Sequence, residues 1–178
     1  GDSPPSAWND CGNLAAELVA KTPPDGYTML LTSGSIAISP ALFPKLGYDT
    51  MRDFAPVTVV ATVPNVLIVH PSVPAKSLAE LVKLAKAHPG KLNYGSGGVG
   101  SGSQLGSELF RTLNKLQMVH VPYKGAALAL NAMLGGEVDM VTSTVPATIP
   151  LVNAGSIRAL AVMAPGHAAA LPKVPATG

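Results

Sequence analysis

The chain has 178 residues, 47% of them hydrophobic and 12% charged, with a formal net charge of +2. That length bounds one ordinary domain or two small lobes, with enough apolar material for a buried core. Charge at about half the usual share, no basic run and no aromatic–basic interleaving together exclude a nucleic-acid interface.

Residues 1–11, GDSPPSAWNDC, are polar, proline-bearing and aperiodic, and read as a leader. They hold no charged n-region or apolar h-region, so no secretory signal peptide is expected in this chain. Asn13–Lys21 places Leu14, Leu18 and Val19 on one face of a short helix that Pro23-Pro24 stops. Tyr27–Thr32 reads as a buried strand, followed by Ser33-Gly34-Ser35 and a helical segment to Phe43. Val57–Thr62 and Asn65–His70 are β-rich runs broken at Pro64. Ser77 and Glu80 occupy the two ends of a capping box that opens a helix, and Pro89-Gly90 closes it. Leu92–Tyr94 is a strand that runs into a glycine–serine burst, and helical spacing resumes at Leu105, Leu109, Phe110 and Leu113. Met118–Tyr123 is a strand, Ala126–Leu134 a helix ended by Gly135-Gly136, and Val138–Ser143 a strand. A short helix begins at Thr144 and Pro146 and ends at Gly155, and Ile157–Met163 is the last strand.

No run of about 18 apolar residues occurs anywhere. Cys11 is the only cysteine, so no internal disulfide is available. His70, His88, His120 and His167 show no HxxxH spacing, and they read as ordinary surface or packed histidines, with no metal site.

Strands alternating with helices predict an α/β fold with a largely parallel sheet. Ligands bind such sheets at the carboxyl ends of the strands. Four junctions there are rich in small residues. They are Ser33-Gly34-Ser35, the stretch Ser96–Ser103, Lys124-Gly125 and Ser143-Thr144. The expected ligand contacts in the second of them are Ser96, Gly98, Gly100, Ser101, Gly102 and Ser103.

Gly95-x-Gly97-x-x-Gly100 formally matches a dinucleotide fingerprint, but the next strand offers no acid for the ribose. No Gly-Lys-Ser/Thr follows for a P-loop, and no serine stands in a GxSxG elbow. A second capping box does fit, with Ser101 at the N-cap and Gln104 reaching back. Free N–H groups and the helix dipole would favour a carboxylate or other small anion there. A plain tight βα turn fits the composition equally. Lys124 reads as a solvated cation, Asp139 as a residue that orients backbone, Tyr27 and Tyr123 as packed rings, and the methionines as core fillers.

Seven ordered motifs carry a resemblance. They are Pro24-Asp25-Gly26-Tyr27-Thr28, Asp53-Phe54-x-Pro56-Val57, Pro89-Gly90-Lys91-Leu92-x-Tyr94, Glu108-Leu109-Phe110, His120-Val121-Pro122-Tyr123-Lys124-Gly125, Leu134-Gly135-Gly136-x-Val138-Asp139 and Arg158-Ala159-Leu160-Ala161-Val162. Over about Gly12 to Pro175 the chain resembles the Bug/TctC family, the extracytoplasmic receptors of tripartite tricarboxylate transporters. The resemblance implies a two-lobed periplasmic-binding-protein-like fold of type II. It also implies a non-catalytic protein without cofactor or metal. Such a protein closes on a small carboxylate in the periplasm and serves the membrane subunits of the transporter.

Three features depart from the family pattern. Residues 1–11 do not resemble its opening strand and Pro-Pro-Gly-Gly loop. Family members continue beyond Leu171-Pro172-x-Val174-Pro175. Gln104 stands where histidine is common. A fragment is therefore expected, with an incomplete first lobe (12–70 plus 164–178) and a second lobe (71–163). A nucleotide-dependent enzyme using the 95–100 glycine loop and a nonfunctional gene remnant remain as alternatives.

Overall fold

A computed structural model describes residues 12–177; the leader expected over residues 1–11 lies outside the described residues. The helices are α1 (Asn13–Ala20), α2 (Ser35–Leu42), α3 (Leu78–Ala87), α4 (Gly102–Leu113), α5 (Ala126–Leu134) and α6 (Val145–Asn153). The strands are β1 (Asn65–Val69), β2 (Asn93–Ser96), β3 (Val119–Pro122), β4 (Met140–Thr144) and β5 (Arg158–Met163). Local chemistry explains the boundaries. The Ser77 hydroxyl accepts the Glu80 amide at 3.2 Å, while the Glu80 carboxylate accepts the Lys76 amide at 2.7 Å. The reciprocal half of that capping box thus lands one residue before the cap.

The five strands form one sheet in the order β3-β2-β4-β1-β5. β2 is parallel to both β3 and β4, whereas β1 is antiparallel to β4 and β5. The sheet is therefore mixed rather than largely parallel. Composition carries no strand direction: β1 enters with Asn65 beside Thr144, at the carboxyl end of β4, and so must run backwards. One face buries Leu67, Val69, Leu81, Tyr94, Phe110 and Met140 beneath α3 and α4. The other buries Val66, Ile68, Ala129, Met133, Val141 and Val162 beneath α5 and the start of α6. β1, and the segment after β5, were both expected in the first lobe. β1 lies inside this sheet, and Leu171 and Val174 pack on its second face.

Glycine shapes the α4 face. A Cβ at Gly106 would stand 2.9 Å from Thr142 and 3.2 Å from the Met163 sulfur, so the helix lies tight on the sheet there. Phe110 is buried with it, whereas Leu109 and Leu113, which share the helical spacing, are exposed.

Two expected strands are absent. Tyr27–Thr32 and Val57–Thr62 run without regular structure, with Tyr27 93% and Val57 83% exposed. Their β-branched and apolar residues favour a pleated surface, but a strand also needs a neighbour for its N–H and C=O groups. No strand lies beside either segment among the described residues. Asn13 ties α1 to α2 and Tyr48: its side-chain oxygen accepts from the Ser39 hydroxyl and the Tyr48 phenol, each at 2.7 Å.

Candidate functional site at the carboxyl ends of the central strands

β2 is the strand at which the connections diverge. The β2–α4–β3 crossover covers one face, and the β3–α5–β4 crossover returns on the other. A crevice at the carboxyl end of such a strand is the usual place for a ligand in an open α/β sheet. That end is Ser96, followed by the glycine loop.

The loop is held almost wholly by itself. Gly97 N–H donates to the Ser103 hydroxyl (2.9 Å), Gly98 N–H to the Ser96 hydroxyl (3.2 Å) and Gly100 N–H to the Gln104 side-chain oxygen (2.6 Å). Gly98 and Gly100 have φ of 120° and 81°, a region that side chains other than glycine's rarely enter. Ser101 caps α4 as expected, its hydroxyl accepting the Gln104 amide at 3.2 Å and donating to the Gly98 carbonyl at 2.7 Å. Gln104 reaches back, but to Gly100 rather than to the cap. The amides of Gly102 and Ser103 then have no partner among the described residues. Gly102 is exposed, and a Cβ there would meet nothing within 4 Å.

Two further expected junctions adjoin the loop. Gly125 N–H donates to the Gly97 carbonyl at 3.2 Å, which places the start of α5 against it. A Cβ at Gly97 would stand 2.9 Å from the Ala126 nitrogen, so only glycine fits between the two helix starts. Lys124 is exposed just before Gly125. Ser143 is buried at the end of β4, and Thr144 is exposed beside it as the residue before α6. The first amide of α6, on Val145, is already taken by the Pro64 carbonyl at 3.1 Å, and Pro146 has none. α6 therefore offers fewer free donors than α4.

Ser33, Gly34 and Ser35 lie apart, at the start of α2, where the two hydroxyls stand 2.8 Å from each other. The far end of α2 reaches the loop instead: Leu42 and Phe43 would lie 3.3 and 3.6 Å from a Cβ on Gly100. Two concavities of about 440 and 170 Å³ open between Asn13 and Met51, and none of the expected ligand residues lines them.

The residues missed by inspection of the sequence sit behind the loop. His120 Nε2 lies 2.6 Å from the Ser96 hydroxyl, and the imidazole stacks on Tyr94 at 4.9 Å. The Tyr94 phenol donates a short hydrogen bond to Glu108, which also pairs with Arg111 at 2.7 Å. Burial, the Glu108 hydrogen bond and its charge push the Tyr94 phenol far up. Burial alone would raise the Glu108 carboxyl, but the hydrogen bonds from Tyr94 and Arg111 outweigh it and hold it low. Burial lowers the His120 imidazole against the opposing charge of Glu108. The usable signal was strand periodicity: Tyr94 and His120 each stand two residues before the end of adjacent strands and are register partners. Asp139 orients backbone as expected, since it and Asn93 each accept the other's amide at 2.8 Å.

This loop, on a doubly covered sheet, defines an α/β protein of the binding-protein kind, and the comparisons agree. The profile of the tripartite tricarboxylate transporter family receptor (TctC) matches residues 5–178, and the chain belongs to that family. That family is one of receptors, not of nucleotide-dependent enzymes. The chain is 34% identical to BugT of Bordetella pertussis, over 92% of this chain and 51% of that protein. The structure described as R. palustris Rpa4515 with adipate is similar at 40% identity and a TM-score of 0.87, covering 93% of this chain and 56% of that one. MatC from Rhodopseudomonas palustris, with bound malate, is similar at 32% identity and a TM-score of 0.81, with the same coverage. The chain spans about half the length of the curated relatives it matches.

Proposed function

We propose that the chain forms one side of the ligand site of a periplasmic receptor. This receptor captures a small carboxylate for the membrane subunits of a tripartite tricarboxylate-type transporter. The observation that carries the reading is the start of α4, where the amides of Gly102 and Ser103 have no partner among the described residues, at the carboxyl end of β2. Amides at a helix start favour an anion through both their hydrogen bonds and the helix dipole. The adipate and malate bound by two similar proteins support a dicarboxylate as the class. Ser96, Gly98, Gly100, Ser101, Gly102 and Ser103 form the cradle, Lys124, Gly125, Ser143 and Thr144 its flank. Ser33, Gly34 and Ser35, at the other end of α2, reach the ligand only on closure of the two lobes. The crossing at Pro64–Asn65 lies at the cradle's edge of the sheet, where Asn65 pairs with Thr144, and a hinge toward the 12–64 region belongs there.

The test separates amides from side-chain charge. Gly102→Pro removes one donor at the first helical position, where proline is tolerated and where the extended Ser101 (φ −70°, ψ 152°) already suits a following proline. In a full-length version with the family's missing parts restored, it should weaken adipate binding tenfold or more, taking a charge-assisted hydrogen bond as about 1.5–3 kcal/mol. Lys124→Ala should cost less. Calorimetry that finds the reverse order sinks the helix-start reading and leaves the glycines as a turn.

A further inference from the structure

We propose that His120 is a positioning residue for the Ser96–Ser103 loop, acting through the Ser96 hydroxyl, so that its protonation loosens the loop. The consequence for ligand affinity rests on the carboxylate reading above; the coupling to the loop does not.

The Ser96 side chain is fully buried, so its hydroxyl draws its hydrogen-bond partners from the protein around it. Three groups are within reach: His120 Nε2 at 2.6 Å, the Gly98 amide at 3.2 Å and the Gly98 carbonyl at 3.3 Å. The Gly98 carbonyl also receives the Ser101 hydroxyl at 2.7 Å and the Ser101 amide at 3.2 Å. A neutral ring protonated on Nε2 would already donate to Ser96, as the charged ring does, and would leave the loop amides flat across the titration. In the proposed neutral state the imidazole carries its proton on Nδ1 instead. Nε2 then accepts the Ser96 proton, the Ser96 oxygen accepts the Gly98 amide, and the Gly98 carbonyl is left to Ser101.

Protonation breaks this arrangement. Nε2 must now donate to the Ser96 oxygen, which turns the hydroxyl proton toward the Gly98 carbonyl. There it becomes a third donor, competing with the residue that caps α4. The contest is local to the cradle: Ser101 holds the helix end whose amides face the ligand.

The titratable and charged groups around His120 are Tyr94 on β2, stacked at 4.9 Å, and on α4 Glu108 with its partner Arg111. Burial favours the neutral ring and Glu108 the charged one; burial prevails, so the midpoint lies below the ordinary 6.5. A merely structural histidine would affect stability but would not transmit its titration to Gly98.

The experiment is a pH titration of the isotope-labelled chain from about pH 8 to about pH 5, read at the His120 ring and the backbone amides. The amides of Gly98, Ser101 and Gly102 should move with the His120 midpoint. In Ser96→Ala the ring should still titrate while those amides no longer follow. Loop amides that stay flat across the His120 midpoint in the unsubstituted chain overturn the proposal without any variant. So do amides that still follow it in Ser96→Ala. Adipate is then titrated at both ends of the range. Its affinity should fall at least about threefold more on acidification than in His120→Gln, which keeps a side-chain hydrogen-bonding group but cannot ionise. Equal falls overturn the link to affinity. If adipate moves no loop amide at any pH while Gly98 still tracks His120, the positioning role stands and the carboxylate reading fails.

Discussion

Gly97 and Gly102 belong to the same loop but make opposite demands on it. A Cβ at Gly97 would press on the Ala126 backbone at 2.9 Å, where no flexible side chain can yield, while one at Gly102 would meet open space. Gly97→Ala should therefore cost about 1–3 kcal/mol, the range for overpacking. Gly102→Ala should be neutral or slightly stabilising, and urea midpoints compare the two. The charged residues behind the loop set a second expectation. Glu108 is held below, and His120 below, their ordinary values of 4.5 and 6.5. In both cases the unfolded chain binds more protons than the folded one over the intervening range. Their stabilisation is thus present above the unfolded pKa and lost as pH falls through the folded pKa. Melting temperature should fall on acidification below about pH 6.5, and more steeply below about 4.5. Glu108→Gln should flatten the lower part of that profile and deepen the upper part, since the charge that opposes burial at His120 is gone.

At the scale of elements, the helix starts were legible because their signals are local. Ser77 and Ser101 cap the helices they were expected to cap, through bonds three residues long. The failures are the elements whose partners are distant. Tyr27–Thr32 and Val57–Thr62 have the composition of strands, but they pair with no strand among the described residues, and Met29 and Leu31 are exposed. Unpaired extended segments with apolar side chains invite edge pairing between chains. The chain alone should self-associate. Replacing Tyr27, Met29 and Leu31 with serine should shift sedimentation toward the monomer while the melt of the 65–163 sheet stays unchanged. A sharp monomer peak from the unsubstituted chain would show that these segments are harmless.

At the scale of the whole molecule, the chain matches about half of each relative's length, and the proposed cradle draws on this half alone. A site that surrounds a small ligand gathers contacts from all directions, and a half-site keeps only part of them. Calorimetry on this chain should find adipate binding no tighter than about millimolar, roughly −4 kcal/mol. Micromolar binding would mean that these residues suffice. The sequence by itself determined the family, the helices and the strands from Asn65 onward. It also located the Ser96–Ser103 loop, because caps, breakers and glycine spacing act over a few residues. Only the tertiary structure decided that β1 runs against its neighbours and that two strand-like segments pair with no strand among the described residues, since direction and pairing depend on distant chain. The same holds for His120: Ser96 and His120 are 24 residues apart, and nothing but the parallel pairing of β2 with β3 brings the imidazole to the hydroxyl that holds the loop.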